Sequence, residues 1–178
     1  MRTTVGFVVL GLALLSTLQA ACTSLPDSCG DDKVTFEVSR QKGAPAPAAA
    51  DPDKARILFI EWIEKAGSCL GCQITTRVGL NGAWVGANQG NSYFSLDVAP
   101  GEQHVCTDWQ SKFGVFKSKV GLTSFTAEAG KTYYYKIKVT LKQSGDYADR
   151  DLDLMPVSED EAKFRMKTSA LSKSTPRS

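Results

Sequence analysis

Apolar and polar residues alternate most regularly between Thr132 and Leu141. Successive side chains of a strand point to opposite faces. Tyr133, Tyr135, Ile137, Val139 and Leu141 therefore share one face, and Tyr134, Lys136, Lys138 and Thr140 are expected on a solvent face. Tyr93 to Val98 alternates in the same way, with Phe94, Leu96 and Val98 on one side and Tyr93, Ser95 and Asp97 on the other. Gln103 to Trp109 is expected as its partner strand, setting Val105, Thr107 and Trp109 against His104, Cys106 and Asp108. Ile57 to Ile63 is a dense apolar run of strand length, suited to a central strand. Thr75 to Leu80 and Trp84 to Gly86 flank Asn81-Gly82, the pair that supplies positive φ in a two-residue hairpin.

The remaining pattern is weaker. Val34 to Val38 and Leu122 to Ala127 read as short strands, and Ala129-Gly130-Lys131 as the turn before the tyrosine strand. Residues 110–119 suggest a loop with an edge strand, and Gln143 to Arg150 a polar loop. Leu152 to Val157 is a last strand whose Pro156 confines it to an edge or strand end. Ser158-Glu159-Asp160-Glu161 has the capping-box pattern, so a short helix is expected to about Met166. Lys167 to Ser178 is polar, small and basic, the composition of a disordered tail.

About seven short strands with regular turns, not separated by helical patterns, indicate an all-β fold. The expected architecture is a single antiparallel β-sandwich over residues 55–157, with a short helix and tail over 158–178. Residues 22–54 precede it as a polar segment with a short strand. They end in Gly43 to Pro52, where proline alternates with small residues as in an extended linker.

Residues 1–21 follow another logic. Arg2 is basic, Val5 to Leu18 is apolar and uncharged, and Ala20 and Ala21 are small. That is the layout of a secretory signal peptide. The apolar run is shorter than the roughly 20 residues a comfortable membrane span needs, so a retained anchor is the lesser reading. Cys22 follows at once and is a lipidation candidate, although Gln19 stands where a lipobox carries leucine. The implied location is exported: periplasmic, or outer-membrane-associated if Cys22 is acylated.

Charge narrows the partners. The 178 residues hold 21 Lys+Arg and 19 Asp+Glu, dispersed, a balance that gives no field to steer nucleic acid. Contact with a membrane is expected only through a lipid on Cys22, and the expected partner is an envelope protein or a glycan. No cofactor is implied.

The five cysteines are Cys22, Cys29, Cys69, Cys72 and Cys106. In an oxidising compartment, lipid on Cys22 would leave four to pair. Cys69 with Cys72 and Cys29 with Cys106 is the expected arrangement. Cys69-Leu70-Gly71-Cys72 also permits redox chemistry, but that motif usually opens a helix that lowers the first thiol's pKa. Here the β-branched Ile74-Thr75-Thr76 follows. A zinc site needs two further ligands, and only Cys29, Cys106 and His104 remain.

Four turn motifs then occur in one order: Leu80 to Gly86, Asn91 to Phe94, Pro100 to Val105, and Ala129 to Tyr135. Over roughly Ala55 to Val157 the chain resembles the bacterial envelope family catalogued as domain of unknown function 2846. It is similar, more loosely, to PEGA-type surface modules. The resemblance implies an antiparallel β-sandwich in an exported or lipid-anchored protein, with no catalytic residue to carry over.

The expected function is therefore that of a non-catalytic envelope protein, a binding or structural module. Trp84 and Tyr93 are candidate contact aromatics, with Trp109 expected in the core. A thiol–disulfide oxidoreductase using Cys69 and Cys72 is the alternative. A hydrolase with His104 as base fails on geometry, since Asp108 lies about 13 Å along the same strand.

Overall fold

The computed structural model describes residues 26–45, 47–64, 74–110, 120–144 and 147–177; side chains of 141–150 are outside the description. Residues 1–21, Cys22, Cys69, Cys72 and, apart from Gln110, the expected loop at 110–119 lie outside the described residues. In chain order the elements are β1 (Thr35–Gln41), β2 (Ala55–Glu64), β3 (Thr75–Leu80), β4 (Ala83–Gln89), β5 (Ser92–Val98) and β6 (Gly101–Trp109). They continue with β7 (Gly121–Ala127), β8 (Thr132–Ser144), β9 (Tyr147–Pro156), α1 (Glu159–Met166) and β10 (Ala170–Arg177).

The fold is mostly β and has two sheets. One has the order β1-β10-β5-β2-β8-β9, the other β4-β3-β6-β7. A shared core joins them: Ile57, Phe59, Phe94, Tyr135 and Ile137 of the first sheet pack with Val78, Val105 and Trp109 of the second. The inward parity expected for Phe94, Val98, Val105, Tyr135 and Ile137 holds, because each belongs to this core. The Asn81-Gly82 hairpin also forms, joining β3 to β4 with φ of 51° and 88°. An alanine at Gly82 would be forced into the same left-handed region, where a Cβ is costly.

Four expectations need correction. The larger sheet is mixed, because β2 pairs β8 in parallel and β10 pairs β5 in parallel. Between β2 and β8 the chain crosses to the other sheet and back twice, so it re-enters in the same direction. Alternation along one strand carries no record of its neighbour's direction. For the same reason β6 is not the partner of β5; the turn at Ala99-Pro100 carries the chain from one sheet to the other. Residues 143–144 and 147–150 are strand rather than polar loop, since β8 and β9 pair out to Ser144 and Tyr147.

The fourth correction concerns the C-terminus. Instead of a disordered tail, residues 170–177 form β10, paired along its length with β1. Its inward residues are Ala170 and Ser172, both buried. They are small because β4 packs close by, where Ser174 Oγ accepts from Ala87 N at 3.2 Å. Small, hydroxyl-bearing inward positions make the strand read as polar. β1 and β10 thus belong to the same sheet as β2 rather than flanking it, and the described residues hold ten strands.

On the outer face of this sheet lies α1. Ser158 Oγ accepts from Glu161 N, as the capping-box pattern requires. Ala162, on the helix, packs with Leu58, Ile60 and Tyr93. Lys136, expected in solvent, instead donates to Glu161 Oε1 at 2.8 Å, because the helix covers its face.

Candidate functional site

Chemistry-bearing side chains gather at two places. The first is the outer face of the smaller sheet, where residues 26–34 cross β3 and β6 as a strap. Glycine at position 30 lets the strap lie flat, since a Cβ there would sit 2.7 Å from Trp84 N. Cys29 is bonded to Cys106 of β6, with Cα atoms 5.3 Å apart. Beneath the strap, Arg77 of β3 is 1% exposed and donates to Asp108 Oδ2 at 2.8 Å. Its Nη1 donates to two strap carbonyls, Asp32 O at 2.9 Å and Val34 O at 2.6 Å. The guanidinium lies 4.2 Å from the centre of the Trp84 ring, a cation–π contact. Trp84 Nε1 in turn donates to Asp31 O at 2.7 Å.

This arrangement answers a physical requirement. A buried guanidinium is tolerated when its charge and its N–H groups are matched. Asp108 Oδ2 supplies the charge, the strap carbonyls accept from Nη1, and the indole face supplies a weakly polar lid, while Arg77 Nε and Asp108 Oδ1 find no partner among the described residues. The strap therefore depends on Arg77 for seating, and Arg77 depends on the strap for satisfaction.

The second place is between the two sheets. Glu61, in the middle of the apolar β2 run, is fully buried and faces the other sheet. Thr76 Oγ1 donates to its Oε2 at 2.9 Å, and Oε1 has no partner among the described residues. Burial pushes its carboxyl well above the usual carboxylate range, against the opposing effects of the Thr76 hydroxyl and the Arg40 charge. Nearby, Ser172 donates to Ser92 Oγ at 2.8 Å, Ser92 to Asn88 Oδ1 at 3.2 Å, and Asn88 Nδ2 to Phe59 O at 3.2 Å. Arg40 stands opposite Ser172 in register, at the solvent end of this polar row.

The residues singled out by sequence are placed as follows. Cys29 and Cys106 come together. Trp84 is half-buried at the strap, with its polar atom already engaged. Tyr93 is corrected as a surface contact: at 2% exposure it lies under α1, where burial raises its phenol pKa. Trp109 is in the core. His104 is exposed, 3.5 Å from Glu102, while Asp108 is buried against Arg77, so the two do not meet. No three His, Cys, Asp or Glu side chains converge among the described residues.

Sequence reasoning missed Arg77 and Glu61. A detectable sign existed for Glu61: it has the parity of the inward Phe59 and Ile63 in an otherwise apolar strand. Arg77 carried no sign, because the strap that satisfies it is remote in sequence. Among the described residues, no helix is long and apolar enough to cross a membrane. Comparison with family models, with curated proteins and with solved structures finds no match.

Proposed function

We propose that this protein is exported to the bacterial envelope and serves there as a non-catalytic binding or structural module. One observation carries the reading: the Cys29–Cys106 bond fastens the segment that follows the signal-like residues onto the body. Such a bond persists in an oxidising compartment and is rare in a reducing one. The signal-like layout of residues 1–21 points the same way. The resemblance of the four turn motifs to those of domain of unknown function 2846 supports an envelope module. Cys22 is the proposed lipid acceptor, four residues before the first described residue, Pro26.

The non-catalytic part rests on how the ionisable groups are used. Arg77 and Asp108 hold the strap, Arg56 and Asp97 pair at 2.7 Å on the first sheet, and Glu161 is shared by Lys136 and Arg165. Each is engaged in holding structure. The partner is an envelope protein or a glycan, met at the exposed surface.

Mass spectrometry of the protein from fractionated cells, without reductant, tests this. The expected species is in the envelope fraction, cleaved after Ala20 or Ala21, or after Ala21 with diacylglycerol mass on Cys22, and holds a Cys29–Cys106 bridge. An uncleaved cytosolic chain with free thiols overturns the proposal. A mixed disulfide of Cys69 or Cys72 with another protein would favour the thiol–disulfide alternative.

A further inference from the structure

We propose that the strap and the arginine beneath it form one coupled device: Arg77 and Trp84 seat residues 26–34 so that Cys29 meets Cys106, and the bond in turn keeps Arg77 covered. The geometry points to this because two kinds of attachment converge on a short segment. One is covalent, between Cys29 and Cys106. The other is three hydrogen bonds to strap carbonyls, from Arg77 Nη1 to Asp32 O and Val34 O and from Trp84 Nε1 to Asp31 O. The donors come from β3 and β4, and Cys106 from the neighbouring β6. The covalent and polar attachments thus sit on three adjacent strands under nine residues of chain.

A thiol pair oxidises more completely when the fold holds the sulfurs together before the bond forms. If Arg77 and Trp84 do that holding, their loss must weaken the bond, and breaking the bond must loosen their contacts; coupling of this kind is reciprocal. In the reduction, a dithiol or two molecules of glutathione give up two electrons and two protons. The Cys29–Cys106 bond breaks to two thiols, and the reductant becomes its disulfide. The strap is then held only by the polar contacts, and it covers Arg77, Asp108 and Trp84 less tightly without leaving them. This makes Arg77 a positioning residue for the bond rather than merely a core cation.

The test is a redox titration of the purified protein in glutathione buffers, with the bridge read by alkylation and mass spectrometry of the Cys29 and Cys106 peptides. Trp84→Phe keeps the ring over Arg77 and removes only the bond to Asp31 O. Arg77→Met removes the other two. Lys131→Ala, which breaks an exposed pair with Glu128 far from the strap, is the control. The proposal expects the oxidation equilibrium constant to fall about tenfold or more in Arg77→Met, about 30 mV for a two-electron couple, and by less in Trp84→Phe. The control stays unchanged. Should Arg77→Met not fold, Trp84→Phe decides.

The reverse direction is read in the Cys29→Ser/Cys106→Ser protein by hydrogen exchange. There the amides of residues 26–34 keep part of their protection, and lose it when Trp84→Phe is added. An equilibrium constant unmoved in every folded variant, or a strap that exchanges freely as soon as the bond is gone, overturns the coupling. Neither result touches export or envelope location, which stand or fall on the fractionation experiment.

Discussion

Glu61 is the residue whose chemistry is furthest from its surroundings. Its carboxyl is enclosed, has one donor, and because of that burial holds its proton more tightly in the folded chain than an ordinary glutamate does. The sign of the linkage follows. Stability associated with this proton is fully present below about pH 4.5 and is lost as pH rises through the higher folded value. Glu61→Gln keeps the shape and an oxygen for Thr76 but cannot ionise. The expected outcome is a gain of about 1–3 kcal/mol at alkaline pH, the scale of an imperfectly paired buried polar group, and little change near pH 4. Urea unfolding of both proteins from pH 4 to 9 checks it; parallel curves would refute it. Asp108 behaves differently, because its charge is matched. Asp108→Ala strands Arg77 in the interior and should cost about 3–5 kcal/mol in the same assay.

Among the elements, β10 shows what alternation can and cannot reveal. The tyrosine strand β8 was legible because its inward row is large and aromatic, and the Asn81-Gly82 hairpin because its backbone angles demand those residues. The helix α1 was legible from its cap; Ser158→Ala should lower stability by about 1 kcal/mol, seen as a thermal midpoint a few degrees lower. β10 was illegible because Ala170, Ser172 and Ser174 are small fillers under β4, two of them hydroxyl-bearing, indistinguishable by composition from a loose tail. Deleting residues 170–178 separates the readings. A tail would be dispensable, whereas loss of β10 unpairs β1 and uncovers β5. The truncated chain should be insoluble or protease-sensitive, with its strand signal reduced in circular dichroism. Pairing direction was equally hidden, since the parallel β2–β8 contact arises from crossovers between sheets. Of the candidate site, the Cys29–Cys106 pair was among the expected pairings, while Arg77 was not legible, because Asp108 and the strap carbonyls that it meets are remote in sequence.

At the scale of the whole molecule, the Cys29–Cys106 bond closes a loop with a sequence separation of 77 residues that includes β1 to β5. Cys29→Ser/Cys106→Ser should therefore lower stability by about 2–5 kcal/mol, measured as the difference in denaturant unfolding with and without the bond. The same bond sets how the molecule bears tension. A pull applied at Pro26 passes through Cys29 into β6, an interior strand of the smaller sheet, and does not reach β1. Once the sulfurs separate, the load falls on the three hydrogen bonds from Arg77 and Trp84 to the strap, and when those yield it reaches Thr35, which stands opposite Arg177 at the mouth of the β1–β10 pair. That pair then opens like a zipper, one hydrogen-bonded rung at a time, so resistance to a pull from this end falls in steps: covalent bond, strap contacts, then single rungs.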